Sequence, residues 1–578
     1  MTRGISSRKT DLNIRAKFVI SAVFIFAPIL VYRLADLQLL SYSEIRAQAA
    51  KQQSTVRILH AERGKIFYKE KTGDEEFPIA TNRSFSHVFV VPQDIQGIEN
   101  AINKLLPLVE EYGLDEEILR FRLSKENDIY EPIAHKLTDE QLQPFIDLNL
   151  EGLEWEDEKA RFYPDKDFLS HITGFVGISG EDRVGQYGLE GFFEEELKGK
   201  DGLLEGKTDI LGRLIQTGPL KRNEPEPGTD FILTINRTLQ AYVCNKLEEQ
   251  IENVAAESGS VVIVNPDTGA ILAMCSYPSF DPNKYNEVED IKIYMNSVVA
   301  STYEPGSIFK PFTMAAAIDD EAVTAQTTYI DEGVEEIGKY KIRNSDGKAH
   351  GEVDMVFVLN ESLNTGAIFV QRQIGNEKFK DYVEKFGFGR STDIELGNEL
   401  SGNISSLYKP GDIYAATGSF GQGITTTPIQ IVMAYAALAN GGKLMKPYII
   451  QEKRQQDKII YTEPSLVDEP ISVQASTIIS GMLVSVVRVG HAKSAGVEGY
   501  YIAGKTGTAQ VAESGEYGNK TIHSFCGYGP VDNPIFAMLV KLDYPQYGIY
   551  AASTAAPLFG DIAKFILQYY EVPPDEAQ

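Results

Sequence analysis

Two apolar runs, Ser260–Val264 and Ala270–Cys275, flank the segment Asn265-Pro266-Asp267-Thr268-Gly269. Asn, Pro, Asp and Gly open and close tight turns, so the stretch reads as a β-hairpin. Both runs are almost continuously apolar rather than alternating, so both strand faces must be covered. The chain therefore needs a sheet between two layers of helices. LTINRTLQAYVCNKLEEQI, just before the hairpin, reads as a strand end and an amphipathic helix. Far downstream, YYIAGKTGTAQV, SFCGYG and IFAMLVKLD read as three further strands, and 554–570 as a closing helix.

At 578 residues the chain is too long for one core, and more than one domain is expected. Its net charge of −27 excludes a nucleic-acid partner, which asks for a basic face. Near the start, Arg3, Arg8, Lys9, Arg15 and Lys17 stand against a single acid, Asp11. An uncharged run from Phe18 to Tyr32 follows, short of the ~20 residues that span a bilayer. The apolar pattern resumes at Leu34, Leu37, Leu39 and Leu40, with Arg33 able to snorkel to the interface. The reading is a cytoplasmic tail over 1–17 and an uncleaved signal-anchor over 18–40, its basic flank inside. A cleavable signal peptide is disfavoured because Ala47-Gln48-Ala49 lies too far beyond the apolar run. Residues 41–60 read as a polar helix leaving the membrane, and the Pro- and Glu-rich KRNEPEPGT (221–229) as a linker.

The candidate chemistry lies in STYEPGSIFKPFTMAAAI, residues 301–318. Tyr303-Glu304-Pro305-Gly306 forms a turn and Ser307 opens a helix, with Lys310 three residues on along the same face. A serine hydroxyl needs a base to become a nucleophile, and a desolvated lysine that has lost its proton can supply one. The helix start also aims free N–H groups at an oxyanion forming beside Ser307. A capping serine followed by a surface lysine fits the same four residues. The balance shifts because Ser362-Leu363-Asn364 and Lys505-Thr506-Gly507 follow in order.

Ser-x-x-Lys, Ser-x-Asn and Lys-Thr-Gly together mark penicillin-binding proteins and active-site serine β-lactamases. The chain resembles a class B penicillin-binding protein, a monofunctional peptidoglycan D,D-transpeptidase. Tyr-Glu-Pro-Gly-Ser is similar to the division-type branch. Arg63-Gly64-Lys65-Ile66, Arg161-Phe162-Tyr163-Pro164, HITGFVG (171–177) and GLEGFFEEELKGKDG (188–202) resemble motifs of the family's non-catalytic pedestal. SFGQGITTTPIQIVMAYAALANGG (419–442) resembles the family too, with Gly421-Gln422-Gly423 as a packed supporting turn. The resemblance implies an α+β protein: a pedestal over 41–227, a transpeptidase domain over 228–572 and a tail over 573–578. The transpeptidase domain would hold a five-stranded antiparallel sheet with helices on both faces.

The resemblance also implies roles. Ser307 attacks the penultimate D-alanine of a stem peptide, Lys310 is the base, Ser362 relays the proton and Asn364 binds the substrate amide. Lys505, Thr506 and Thr508 suit the substrate carboxylate on an edge strand, Gly507 admits the substrate backbone, and the N–H groups of Ser307 and Thr508 form the oxyanion hole. Gly490-His491-Ala492 departs from the family's Gly-Thr-Ala, and His491 receives no role. No metal or cofactor is called for. The implied partners are D-Ala-D-Ala stem peptides, β-lactams as covalent inhibitors, a membrane-embedded glycan polymerase and division or elongation proteins. Competing functions are a serine β-lactamase or D,D-carboxypeptidase, and a non-enzymatic β-lactam sensor or division scaffold. Cys244, Cys275 and Cys526 are expected to stay unpaired. The family's strand order would set Cys275 and Cys526 ~14 Å apart, beyond the reach of a disulfide.

Overall fold

The computed structural model describes residues 8–41, 54–70, 75–125, 128–179, 182–207, 221–513 and 516–575. The chain divides into two compact units, Met1–Glu62 with Gly199–Pro227, and Arg63–Lys198 with Gly228–Gln578.

In the first unit helix α1, Arg8–Ala35, runs into a π-helical turn at Asp36–Leu40. Ile14–Leu40 is the one helical stretch among the described residues long and apolar enough to cross a membrane. Its 27 residues rise about 40 Å, more than the ~30 Å of a hydrocarbon core. The segment Leu34–Leu40 thus makes up the shortfall of the Phe18–Tyr32 run. Ser54–Leu59 is a strand, correcting the helical reading over those residues, and pairs antiparallel with Gly202–Lys207; 42–53 lie outside the described residues. Lys221–Asn223 adds a third strand, so the start of the expected linker is part of a sheet. The tripeptide Ala47-Gln48-Ala49 lies outside the described residues.

In the second unit, three of the pedestal motifs converge on one buried carboxylate. Glu190 accepts from Arg63 Nε at 2.7 Å and from Arg161 Nε at 2.6 Å, and the Tyr163 hydroxyl lies at 3.3 Å. Asn82 closes the cluster, donating to the Arg63 carbonyl at 2.6 Å and accepting from Arg161 at 3.1 Å. Two guanidinium groups offset the desolvation of Glu190 and hold its carboxyl below the usual range. Ile66–Lys69 and Glu76–Val90 pair as a hairpin. The strand Asp230–Leu233 lies parallel to Ile66–Lys69 on one side and antiparallel to Ile450–Gln455 on the other. The division expected near 227 is therefore bridged by a sheet that both parts build.

Helix α2, Arg237–Val254, is capped by Asn236, whose side chain accepts from the Leu239 N–H. Strands β1, Ser258–Val264, and β2, Ile271–Tyr277, form the expected hairpin, register Val261↔Cys275. The next helices that matter are α3, Lys310–Asp319, α4, Asn364–Ile374, α5, Pro428–Ala439, and α6, Val473–Arg488. Strands β3, Ala503–Glu513, β4, Glu516–Gly529, and β5, Phe536–Asp543, complete the antiparallel sheet in the order β2-β1-β5-β4-β3. Helix α7, Ala555–Tyr569, closes the chain. Alternation along β4 separates the two helical layers. Phe525 meets Phe559 of α7 at 4.5 Å between ring centroids, while the hydroxyl of Tyr528, on the other face, lies 2.7 Å from Ser480 Oγ of α6.

One expectation fails. Cys244 and Cys275 form a disulfide, Cα to Cα 5.5 Å. Cys275 and Cys526 do sit on strands with two others between them, and Cys526 is free and buried. The partner was on the helix instead: α2 packs against β2 and brings Cys244 over Cys275. A strand-spacing argument cannot see a bridge between layers.

Candidate active site

The turn that carries Ser307 is held from below by a second turn. Gly306 has φ +57° and donates its N–H to the Gly421 carbonyl at 3.1 Å. A Cβ on Gly421 would stand 2.3 Å from the Gly306 oxygen, so the two backbones meet because Gly421 carries no side chain. Tyr303 and Thr426 exchange two backbone hydrogen bonds, at 3.0 and 2.9 Å. Glu304 accepts from the Gly423 N–H at 3.0 Å. The segment 421–426 is thus the floor of the turn, the supporting role read from its sequence.

Gly306–Phe309 is a 3₁₀ turn that continues into α3 at Lys310. In that geometry residues three apart eclipse one another, which aligns Ser307 with Lys310 more closely than an α-helix would. Ile308 and Phe309 are buried, and Tyr435 of α5 donates to the Ile308 carbonyl at 2.8 Å. Ser307 itself is half-buried.

Lys310 is the meeting point. Its Nζ donates to the Ser362 carbonyl, lies 3.2 Å from Ser362 Oγ and donates to Asn364 Oδ1 at 2.8 Å. Burial, and then the positive charge of Lys505, push its ammonium well below the ordinary lysine range. Ser362 adopts φ +58°, a left-handed conformation that costs a non-glycine residue about 1 kcal/mol or more. It sits between the short helix Met355–Asn360 and α4, and this kink turns both its oxygens toward Lys310. The Asn364 amide N–H donates in turn to the Arg343 carbonyl at 2.8 Å.

Lys505 lies on β3, the free edge of the sheet, and is buried. Its Nζ donates to the Thr506 carbonyl at 3.2 Å and lies 3.3 Å from the Thr506 hydroxyl. Burial pulls its ammonium down to about 7, against the opposing charge of Glu361. Two residues of this strand also make contacts within the protein. A Cβ on Gly507 would lie 2.9 Å from Ile308 Cγ2 and 3.1 Å from the Pro305 oxygen. Its missing side chain lets the turn that carries Ser307 lie against β3. The Thr508 hydroxyl accepts from the Ala551 N–H at 3.1 Å, which ties the strand to the segment before α7.

Sequence reasoning left His491 without a role. Its Nε2 lies 2.9 Å from Glu361 Oε2, next to Ser362. The signal was Gly490: a Cβ there would meet the Asn360 carbonyl at 2.9 Å, so the loop packs directly on the segment before Ser362.

Comparison with known proteins gives the family of the chain. The family model for the penicillin binding protein transpeptidase domain matches residues 259–564, and that for the penicillin-binding protein dimerisation domain matches 58–233. Stage V sporulation protein D of Bacillus subtilis is 32% identical, covering 99% of this chain and 88% of the relative. The probable peptidoglycan D,D-transpeptidase PenA of Neisseria gonorrhoeae is 28% identical over 97% of this chain and 94% of the relative. In fold, the chain is similar to penicillin binding protein 2X from Streptococcus thermophilus, TM-score 0.72 at 21% identity, covering 89% of this chain and 80% of that one. It is also similar to penicillin binding protein 3 from Mycobacterium tuberculosis complexed with aztreonam, TM-score 0.69 at 23% identity, covering 90% and 98%.

Proposed function

The chain belongs to the class B penicillin-binding proteins, and on that premise we propose that it cross-links peptidoglycan stem peptides through an acyl-enzyme on Ser307 during septal wall synthesis. The observation that carries the reading is the convergence of Ser362 and Asn364 on Lys310. A neutral lysine has two N–H groups and one lone pair. The N–H groups satisfy the Ser362 carbonyl and Asn364 Oδ1, which leaves the lone pair for a hydroxyl proton.

In the first half-reaction Ser307 Oγ bonds to the carbonyl carbon of the penultimate D-alanine and its proton passes to Lys310. The oxyanion lies against the N–H groups of Ser307 and Thr508; one such donor is worth roughly 2.7–4 kcal/mol in other enzymes. The peptide C–N bond then breaks, and the leaving D-alanine amine takes a proton through Ser362. Asn364 holds the substrate amide, and Lys505 with Thr506 and Thr508 holds the terminal carboxylate. In the second half-reaction the amine of a neighbouring stem attacks the ester, the new amide forms and Ser307 recovers its proton.

The apolar helix Ile14–Leu40 serves as a single-pass anchor, with the remainder of the chain outside the cytoplasm. The Cys244–Cys275 disulfide supports this placement, because such bonds persist in oxidising compartments. A membrane-embedded glycan polymerase supplies the strands to be joined, and division proteins accompany it. Labelling the purified protein with a fluorescent penicillin, mapping the adduct, and chasing it with water or amine acceptors tests the reading. An adduct on Ser307 released by amines supports it; no labelling, or rapid release by water alone, refutes it.

A further inference from the structure

Behind Asn364 lies a buried polar cluster that the reaction scheme does not use. Asp331 ends the strand Thr328–Asp331, and its side chain is fully buried. It accepts from the Gly333 N–H at 3.0 Å, from Asn344 Nδ2 at 3.0 Å, from the His350 N–H at 3.0 Å and from the Thr365 hydroxyl at 2.7 Å. His350 Nδ1 lies 2.7 Å from it, with the ring's Nε2 3.1 Å from Asp346. Desolvation pushes the Asp331 carboxyl up, but the donors, Thr365 first, hold it below the usual carboxylate range. Asn344 spends its other end on the Thr365 N–H, at 3.2 Å.

These contacts tie the segment 331–350 to the first turn of α4. Arg343 precedes Asn344, and its carbonyl accepts from Asn364 Nδ2. An asparagine amide can rotate by 180° and exchange its donor and acceptor ends. Here a flip would set oxygen against the Arg343 oxygen and an NH₂ group against the Lys310 amine. The Arg343 carbonyl therefore decides that Asn364 presents oxygen to Lys310, and the Asp331 cluster decides where that carbonyl stands.

We propose that Asp331, acting through Thr365 and Asn344, is a positioning residue for acylation that fixes the orientation of Asn364 toward Lys310. The inference rests on the transpeptidase reading above. The test is rapid-mixing acylation by a chromogenic β-lactam, which separates the noncovalent dissociation constant from the acylation rate constant. Asp331→Asn and Thr365→Val are made in the parent and in an Asn364→Ala background. Each is expected to slow acylation about tenfold while the dissociation constant stays within about twofold. The loss should vanish in the Asn364→Ala background, and Thr365→Ser should restore the parent rate. Thr365→Val decides the matter if Asp331→Asn does not fold. The proposal is overturned if folded Thr365→Val acylates within about twofold of the parent, or if its loss persists in full without Asn364. A parent protein that never acylates sinks the transpeptidase reading, and this inference with it.

Discussion

Glu361 and His491 are held together by a 2.9 Å contact between Oε2 and Nε2, on the segment that leads into Ser362. The same carboxylate supports the charge of Lys505. A carboxylate in contact with an imidazole is poorly placed to activate water. Glu304, the other acid near the nucleophile, is bound to the Gly423 N–H. Penicillin bound to Ser307 is therefore expected to stay for minutes to hours. Intact mass after removal of free drug reads this directly. Loss within seconds, with steady antibiotic hydrolysis, would place the protein among the hydrolases and make Glu361→Gln the next variant.

Ser307→Ala should abolish β-lactam labelling with the fold intact, since among the described residues no other serine combines such a turn, a 3₁₀ start and a lysine at i+3. Mapping of the adduct to another serine would falsify this. Lys310→Ala should bind ligand but fail to acylate. Acylation near the parent rate would remove Lys310 from the role of base.

In the proposed mechanism, substrate capture through Lys505 needs its cationic form. Burial brings its ammonium down to about 7, and Glu361 keeps it from falling further. The second-order acylation constant should decline as pH rises through about 7, and Glu361→Gln should move that decline to lower pH. A limb that stays in place, or moves upward, rules out the coupling.

The same buried lysine makes stability depend on pH. The folded protein sheds this proton near 7, whereas the unfolded chain keeps it until about 10.5. Between those values the unfolded state binds more protons, so stability rises with pH across the window. The full penalty, on the order of 5 kcal/mol, is felt below about pH 7. Lys505→Met should raise the melting midpoint at about pH 6 much more than at about pH 10. Equal shifts at both would show that the side chain is not desolvated in the folded state.

The Cys244–Cys275 bridge closes a loop of 31 residues. By the chain-entropy model such a loop contributes about 3–4 kcal/mol. Cys244→Ser with Cys275→Ser should lower the melting midpoint, and thiol titration of the denatured, unreduced parent should find a single free thiol, Cys526. Three reactive thiols would show that the bridge does not form.

Much of this protein is legible from its residues in order. The apolar runs around Asn265–Gly269 demanded a covered sheet, because backbone and side-chain periodicity are local properties. Ser307, Lys310, Ser362, Asn364 and Lys505 could be put forward as candidates because short motifs suggest their chemistry, and the fold gathers Ser362 and Asn364 about Lys310. What only the tertiary structure decided are relations between segments remote in sequence. Cys244 finds Cys275 because a helix lies across a strand; Glu361 finds His491 because Gly490 lets a loop pack on Asn360. Gly507 proves to make room for Ile308, and Asp331 to reach Thr365 from another element. Hydrogen-bond partners and burial are set by which surfaces meet when the core closes, and a single sequence position holds no record of the atom that will stand opposite it.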